Sequence, residues 1–538
     1  MFAVVAAPAA PADVPDASRY DWTQTWIPGS DGTRLHVDVM RPKGIPAEQR
    51  TPVILTVSPY RSHLLHISVP VSRYGPSTAD LQAQALLDRG YTFVVVDLRG
   101  YGGSPGCPDW GGPGERSDVK TAVEWAAAQP WSTGRVGLYG MSYEGWTGLM
   151  GLAERPKGLA AVATIEPVAD PYAYIYMDRV PWRFSAKPVI ETGVFPSSPT
   201  VAVQHAMIAA TPGRPEDSPE YHRATQDTPP GCFTDLTARM SDSDPNAPFW
   251  RDRDLISRVR GSTIPVFLQQ GFIDYNTRAD KVVELWNSLG RTDNKAWFGQ
   301  IGHRDCSSDC RASFLTELFA FFDKHVAGKD VSVPGPRITV GQFDGRWRSE
   351  AAFPPADARR VPIALRAGSY ADRGLLPLPD TQLWSVTAPL PAGQHVSGQP
   401  SLTAHVSAPP GATLAVEVYD IDPAGQATVL TRGAARIAGD TVNVRLLAQD
   451  WPIPAGHRIG VKLSDTVLDV WAPTPTEGTV TVHRATVELP LLAQTRRPDL
   501  DGGPPSGIDK WRREKTITLS QETIAGAQVT ANIPDRTG

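Results

Sequence analysis

Short apolar runs alternate with helical stretches in the first third of this 538-residue chain, and that alternation restricts the folds it can adopt. The runs at 52–57, 92–96 and 135–139 are largely apolar, as expected of strands that are buried on both faces. Helical periodicity fills the intervals near 79–89 and 117–128. Strands that alternate with helices form right-handed βαβ units. The sequence therefore predicts an α/β domain with a parallel sheet.

The alternation stops near residue 171 and resumes with a strand at 264–268. The segment between them is rich in aromatic residues and proline, and an irregular insertion of this kind commonly forms a lid. After Val333, short alternating strands and frequent turn residues predict an all-β sandwich. We expect an α/β domain at 20–170 and 256–333, a cap insertion at 171–255 and a β-sandwich at 334–538.

A serine lies at the sharpest turn that this pattern predicts. The sequence Gly140-Met141-Ser142-Tyr143-Glu144-Gly145 follows a buried strand and precedes a helix, which is the context of a nucleophile elbow. Glycine two positions before the serine leaves room for a strained turn, and a helix N-terminus stabilises negative charge beside it. The second glycine stands one position later than in G-x-S-x-G. An ordinary turn with a serine N-cap is the alternative interpretation.

A serine hydroxyl needs a base, and the base needs a third group to orient it. Asp274 follows the strand at 264–268, and His303 follows a strand at 296–298. Both therefore lie at carboxyl ends of strands, in the chain order Ser, Asp, His that α/β-hydrolases use. His325 lies inside a helix and is expected to be structural. The sequence predicts Ser142, Asp274 and His303 as a catalytic triad that needs no cofactor and no metal.

Charge and composition exclude several classes of function. The net charge is 52 − 57 = −5, which argues against a nucleic-acid partner. No apolar run approaches the roughly 20 residues that cross a bilayer, so we expect no membrane partner. The N-terminal residues 1–7 resemble the end of a secretory signal, although they lack a positive region.

The four cysteines bear on location and on metal binding. They are Cys107, Cys232, Cys306 and Cys310. Cys306 and Cys310 are spaced for a local disulfide, with a zinc site as the rival interpretation. Disulfides favour an exported protein, and a cytoplasmic location is the alternative.

Several motifs together resemble the cocaine esterase and X-Pro dipeptidyl-peptidase family of α/β-hydrolases. They are Ser58-Pro59-Tyr60-Arg61, Asp97-Leu98-Arg99-Gly100 with Ser104-Pro105-Gly106, the Ser142 turn, 271–274, Gly302-His303, 321–325 and 345–348. The resemblance runs from about residue 22 to residue 530. In this family the glycine at the third position after the serine is usual.

The resemblance implies a hydrolase domain, an inserted helical cap and a C-terminal jelly roll of the galactose-binding type. It also implies an oxyanion hole formed by the Tyr60 hydroxyl and the backbone N–H of Tyr143. The aromatic side chains of Tyr172, Tyr176 and Trp182 are candidates for an apolar acyl pocket, and packing within the cap is the alternative.

Family members cleave esters of hydrophobic acids, amides that end in X-Pro, and esters of α-amino acids. The last group binds the substrate ammonium with carboxylates just after the catalytic Asp, where this chain has Tyr275-Asn276-Thr277. We therefore expect a small-molecule or peptide acyl substrate cleaved by an esterase or dipeptidyl-peptidase type of serine hydrolase. The alternatives are an α-amino acid ester hydrolase or acyltransferase, and a glycan-binding protein whose hydrolase domain is inert. A homodimer is a further expectation.

Overall fold

The computed structural model describes residues 20–534 apart from 61–62, 64–77, 182–204, 214, 216, 230, 275, 307–309, 375–377, 468–469, 473 and 506. The residues expected to form an export signal lie outside this range. No described helix combines the length and the apolarity that crossing a bilayer requires. The chain divides into two compact units: Met1–Ala163, Gln204–Asp235 and Leu318–Val333 form the first, and Thr164–Val203, Leu236–Glu317 and Pro334–Gly538 form the second.

Strands and helices alternate up to residue 181. The elements are β1 (Tyr20–Pro28), β2 (Arg34–Pro42), β3 (Thr51–Ser58), α1 (Thr78–Asp88), β4 (Thr92–Asp97), α2 (Pro113–Ala128), β5 (Ser132–Met141), α3 (Tyr143–Glu154), β6 (Leu159–Ile165), α4 (Pro171–Ile175), β7 (Tyr176–Met177) and β8 (Val180–Pro181).

Short helices precede the return of the strands. The elements are α5 (Pro219–Ala224), α6 (Gly231–Met240), α7 (Pro248–Arg251), α8 (Leu255–Val259), β9 (Val266–Gly271), α9 (Ala279–Ser288), β10 (Lys295–Gly299), α10 (Ser313–His325), β11 (Ile338–Gly341) and β12 (Trp347–Glu350).

In the first unit the strands lie in the order β1-β2-β4-β3-β5. Strand β3 runs parallel to both β4 and β5, which confirms the predicted parallel pairing. The pairs β1–β2 and β2–β4 are antiparallel, so the sheet is mixed at this edge. Leu55, Val94 and Leu138 lie at its buried centre. Because parallel strands point the same way, the turns that follow β3, β4 and β5 emerge at one edge of the sheet.

In the second unit β10 runs parallel to β9 and to β11, and β12 is antiparallel to β11. The expected domain boundary at 333–334 therefore precedes two strands that extend this sheet. The apolar pattern of Ile338 and Val340 is that of an interior strand, and both side chains are buried.

The rest of the second unit is rich in strands. They are β13 (Ala358–Leu365), β14 (Gly368–Ala371), β15 (Gln382–Thr387), β16 (Gln394–Gly398), β17 (Ser401–Ser407), β18 (Thr413–Ile421), β19 (Gln426–Arg436), β20 (Thr441–Arg445), β21 (Gln449–Ile453), β22 (Arg458–Ser464), β23 (Thr479–Leu492), β24 (Thr516–Thr518) and β25 (Gln528–Val529). Pro379–Thr381 forms a 3-10 turn, and α11 (Gly507–Glu514) and α12 (Gln521–Gly526) lie near the C-terminus.

These strands form two sheets around one apolar cluster. One sheet has the order β20-β17-β23-β16-β21, with β13 and β14 also paired to β23. The other has the order β24-β19-β18-β22-β15-β25. Leu402 and Val487 of the first sheet and Val416 and Val461 of the second belong to the same buried cluster. The predicted β-rich C-terminal region is therefore present.

The charged segment at 510–515 lies mostly in helix α11. Ile508 and Trp511 are three residues apart and both buried, so one face of a helix packs inwards. The intervening charged residues occupy the other face. The charged residues between and after Ile508 and Trp511 made the helical spacing of these two residues hard to recognise in the sequence.

Two disulfides are present, Cys107–Cys232 and Cys306–Cys310. The second is the local bridge that the spacing favoured over zinc. The first joins two segments of the first unit that are 125 residues apart in the sequence.

Replacing Cys107 and Cys232 together by Ser should lower the unfolding temperature more than the same double replacement at Cys306 and Cys310. On the chain-entropy account, closing a loop of 125 residues contributes about 5 kcal/mol and closing a loop of 4 contributes about 2 kcal/mol. Thermal unfolding of the two variants beside the parent protein measures the difference. An equal or larger loss in the Cys306 and Cys310 variant would contradict the expectation.

Candidate active site

Ser142 occupies a strained turn between β5 and α3. Its backbone has φ 61° and ψ −121°, a region that costs a non-glycine residue free energy and that clusters at functional sites. Gly140 makes the turn possible, because a Cβ atom there would lie 2.3 Å from the Cβ of Glu144. The sequence therefore builds the strained strand-to-helix turn that a nucleophile elbow requires, although its second glycine is displaced by one position.

Glu144 stands two residues after Ser142, where the G-x-S-x-G motif has its second glycine. Its side chain is buried, and its Oε1 accepts a hydrogen bond of 2.7 Å from the Ser58 hydroxyl. That hydroxyl oxygen in turn accepts a hydrogen bond of 3.0 Å from the backbone N–H of Tyr60. Glu144 thus holds the end of β3 instead of presenting its charge to a substrate.

Tyr60 lies beside the serine in the first unit, and the two side chains share a hydrogen bond. Burial raises the pKa of the Tyr60 phenol above its ordinary value, and the negative charge of Glu144 acts in the same direction. The hydroxyl therefore keeps its proton at neutral pH and remains a hydrogen-bond donor.

The side chain of Tyr143 is anchored away from the turn. Its hydroxyl donates a hydrogen bond of 2.7 Å to Oε2 of Glu115. Glu115 also accepts hydrogen bonds from the backbone N–H groups of Asp109, Trp110 and Gly111. As the first residue of α3, Tyr143 has a backbone N–H without an acceptor inside the helix. That N–H is the group expected in an oxyanion hole.

Asp274 and His303 meet in the second unit, each just after a strand. The Nδ1 atom of His303 lies 2.8 Å from Oδ2 of Asp274. Asp274 also accepts hydrogen bonds from the Thr277 hydroxyl (2.7 Å), the Asn276 backbone N–H (2.7 Å) and the Thr277 backbone N–H (3.2 Å). Although burial opposes ionisation, His303 and these donors hold the pKa of Asp274 below its ordinary value. An ionised Asp274 places the His303 proton on Nδ1 and leaves Nε2 as a base.

A third buried acid, Glu166, adjoins this pair. The polar atoms of Glu166, Asp274 and His303 lie within 4.8 Å of one another. The sequence motifs of the site do not include Glu166. Its place depends on strand pairing, which no local motif signals.

The aromatic residues predicted to line an acyl pocket make packing contacts. Tyr172 and Tyr176 stack with ring centres 5.4 Å apart, and both rings pack against Trp250. The Tyr172 hydroxyl donates to the Ser243 carbonyl (3.0 Å), and the Tyr176 hydroxyl donates to the Met240 carbonyl (3.0 Å). These contacts favour a structural role in the insertion. Trp182 lies outside the described residues.

A cavity of about 110 Å³ opens beside His303 in the second unit. Basic side chains dominate its charged lining, namely Arg304, Arg432, Lys510 and Lys515, against one acid, Glu514. The indole of Trp511 forms part of its wall, with the Arg432 guanidinium 5.4 Å from the ring centre.

Among the described residues, two clusters have the atom types that bind metals, and hydrogen bonds join some of the polar atoms within each. One is the Glu166, Asp274 and His303 group, and the other contains His36, Asp38 and His63. Burial disfavours the charged form of His63, but hydrogen bonds to Asp217 (2.7 Å) and Asp38 (3.1 Å) outweigh it and raise its pKa to about 10. A protonated imidazole has no lone pair for a metal. We assign no metal-dependent chemistry to either cluster.

Comparison with known proteins shows which family this chain belongs to. Residues 31–305 match the X-Pro dipeptidyl-peptidase (S15) family, which covers Ser142, Asp274 and His303. Residues 332–509 match the X-Pro dipeptidyl-peptidase C-terminal non-catalytic domain. This chain belongs to the X-Pro dipeptidyl-peptidase (S15) family.

Among the relatives of this S15 family member is a protein of Streptomyces avermitilis named "Putative Xaa-Pro dipeptidyl-peptidase". It is 25% identical, and the match covers 88% of this chain and 83% of the relative. The cocaine esterase of a Rhodococcus species is 24% identical over 64% of this chain and 62% of its own length.

Solved structures show the same fold. A CocE/NonD family hydrolase from Staphylococcus aureus has a TM-score of 0.69 at 15% identity and covers 88% of this chain and 94% of its own. An α-amino acid ester hydrolase has a TM-score of 0.66 at 17% identity and covers 91% of this chain and 99% of its own. The S15 family member is therefore an α/β-hydrolase with a β-rich C-terminal domain, and it is a serine hydrolase of acyl substrates, either small molecules or peptides.

Proposed function

We propose that this enzyme cleaves ester or amide bonds through an acyl-enzyme on Ser142, with His303 as the base and Asp274 as the group that orients it. The observation that carries the proposal is the 2.8 Å contact between Asp274 and Nδ1 of His303. It leaves Nε2 of the imidazole as a proton acceptor, while the strained turn places Ser142 between the end of β5 and the start of α3.

The proposed reaction proceeds in two acyl transfers. The Ser142 oxygen attacks the substrate carbonyl carbon as its proton passes to Nε2 of His303, and the carbonyl oxygen becomes an oxyanion. The Tyr60 hydroxyl and the Tyr143 backbone N–H donate hydrogen bonds to that oxyanion. His303 returns the proton to the leaving alcohol or amine as the carbonyl–heteroatom bond breaks. Water, deprotonated by His303, then releases the acid and regenerates Ser142.

Carboxylic esters and X-Pro amides are the substrate classes we favour. The relatives in sequence are named for these two activities. The α-amino acid ester alternative needs carboxylates that bind an ammonium group. Asn276 and Thr277 carry no charge, and the cavity beside His303 is lined mainly by cations, which disfavour an ammonium on the carbon next to the scissile carbonyl. The ammonium of an X-Pro substrate lies one residue further from the scissile bond. Tyr275 lies outside the described residues.

We extend the proposal to the architecture and location of the chain. The two C-terminal sheets around one core support a jelly roll. A helical cap at 171–255 is inserted in the hydrolase domain, and strands β11 and β12 also belong to that hydrolase domain. The two disulfides support export into an oxidising compartment. The homodimer stays a prediction.

The Ser142→Ala variant should lose covalent labelling by a fluorophosphonate probe and hydrolyse p-nitrophenyl esters at least about 10⁴-fold more slowly, because the acyl-enzyme cannot form. The Ser132→Ala variant removes another hydroxyl from β5 and should label normally. Labelling is followed by mass spectrometry of the intact protein. A Ser142→Ala protein that still labels would remove Ser142 as the nucleophile.

The Tyr60→Phe variant should lower kcat by about 10²-fold and leave KM within about threefold, because a donor to the oxyanion acts mainly in the transition state. Tyr91→Phe is the matched control, since its buried hydroxyl bonds to Asp323 at 2.8 Å on another part of the unit. Steady-state kinetics on an aryl ester compare the three proteins. An unchanged kcat in Tyr60→Phe excludes the hydroxyl from the oxyanion hole.

A substrate panel should show higher kcat/KM for neutral aryl esters than for α-amino acid esters of the same size. The physical reason is that the ammonium meets a cationic lining beside His303. N-acetylation of the α-amino ester, which removes that charge, is the matched control and should raise its kcat/KM. Preference for the free α-amino ester would favour the hydrolase or acyltransferase alternative, and tight glycan binding without turnover would favour the binding protein.

A further inference from the structure

Glu166 is a fully buried acid at the carboxyl end of β6. Its backbone has φ 44°, in the left-handed region that strains a residue with a side chain. The backbone N–H of Glu166 donates to the carbonyl of Gln269 (2.9 Å), which ties the strained residue to strand β9. This strained conformation therefore lies at the end of β6, next to β9, and β9 is the strand that leads to Asp274.

The Glu166 carboxyl group has a small, well-defined set of partners. Its Oε1 accepts hydrogen bonds from the side chain of Gln269 (2.6 Å) and the backbone N–H of Gly271 (2.9 Å). The same N–H lies 3.0 Å from Oε2. The remaining hydrogen bond joins Glu166 to the Asp274 side chain. Among the described residues, no Lys or Arg forms an ion pair with it under a 4.0 Å limit.

Two buried carboxyl groups in hydrogen-bond contact must share a proton, because two carboxylates would repel and neither could donate. The number of donors decides which one is ionised. Asp274 accepts three hydrogen bonds from Asn276 and Thr277 and another from His303, whereas Glu166 accepts from Gln269 and Gly271 alone. The negative charge therefore resides on Asp274 and the proton on Glu166.

We propose that Glu166 is a positioning residue which stays protonated at neutral pH and donates that proton in a hydrogen bond to Asp274. The proposal rests on the proposed function of Asp274 and His303. Through this bond Glu166 holds the Asp274 carboxylate in the orientation that receives Nδ1–H of His303, without adding a second negative charge beside the imidazole.

The electrostatics of the pair support the assignment. Burial and the adjacent charge of Asp274 raise the pKa of Glu166 well above its ordinary value of 4.5, while the pKa of Asp274 is lowered. The titratable groups that face Glu166 in the described part of the chain are Asp274 and His303. An ionised Glu166 would instead place a second negative charge beside the imidazole.

Two substitutions test separately whether the charge of Glu166 and its hydrogen-bond donor matter. Glu166→Gln is neutral, keeps an oxygen for Gly271 and Gln269, and offers an N–H to Asp274. Glu166→Ala removes the donor. Glu317→Gln is the control, because Glu317 is another buried acid, paired with Lys295 at 3.0 Å.

The kinetic readout is the pH profile of kcat/KM and the split between kcat and KM on one aryl ester. Glu166→Gln should keep kcat within about threefold and the acidic limb within about 0.3 pH unit of the parent. Glu166→Ala should lower kcat by about tenfold with KM nearly constant, since a hydrogen bond to a charged group is lost. Glu317→Gln should change neither the limb nor the ratio of kcat to KM.

A second readout does not depend on catalysis. Folded Glu166 keeps a proton that the unfolded chain releases above pH 4.5, so it makes the parent less stable as pH rises from there. Glu166→Gln lacks this titration. Its stability relative to the parent should therefore increase between about pH 4 and pH 8, as measured by denaturant unfolding at each pH.

Different results overturn the two proposals. A fall of about one unit or more in the acidic limb of Glu166→Gln, or no pH dependence of its relative stability, would mean that Glu166 is ionised and would overturn this inference. So would a Glu166→Ala protein with unchanged kcat and limb. If Glu166→Ala does not fold, the Glu166→Gln measurements still decide. Failure of the proposed function appears separately, as Ser142→Ala protein that still labels.

Discussion

The ionised carboxylate of Asp274 is the group on which the arrangement of the site depends. A carboxylate taken out of water reverts to its neutral form unless hydrogen bonds or a counter-charge compensate for the lost hydration. Asn276, Thr277 and His303 provide that compensation. Because Asp274 is charged, the imidazole must carry its proton on Nδ1. The acid–base character of His303 is thus determined by the surroundings of its neighbour.

The donors of Asn276 and Thr277 lie next to Asp274 in the sequence. The loop that carries His303 is instead held by residues further along the chain. Gln300, at the start of that loop, donates hydrogen bonds to Gln449 (2.7 Å) and to the Asp450 carbonyl (2.8 Å) on β21. Asp450 is itself fully buried and accepts two hydrogen bonds from Arg348, at 2.8 and 2.7 Å. The C-terminal strands therefore hold the loop that carries the proposed base, although the matching domain family is described as non-catalytic.

The strand ends at which Ser142, Asp274 and His303 lie were predictable from the sequence because each depends on local order. A buried strand followed by a polar residue places that residue where the strand ends, and this rule predicts Ser142 after β5, Asp274 after β9 and His303 after β10. The extension of the sheet to β12 was not predictable, because its short strands resemble those of the following domain. The role of the tyrosines in the insertion depended on contacts with Trp250 that lie far away in the sequence.

Glu166 shows why chain order alone cannot assign roles to acids. Glu166 and Asp274 both follow buried strands, both are buried, and they share one hydrogen bond. Residue type does not distinguish them, since either carboxyl group could bear the charge. The difference arises from the backbone: the turn after Asp274 directs two backbone N–H groups at its carboxylate, whereas the left-handed residue 166 directs its side chain at a single backbone N–H of β9. The division into an ionised acid and a protonated one follows from these backbone donors, and with it the number of negative charges beside His303.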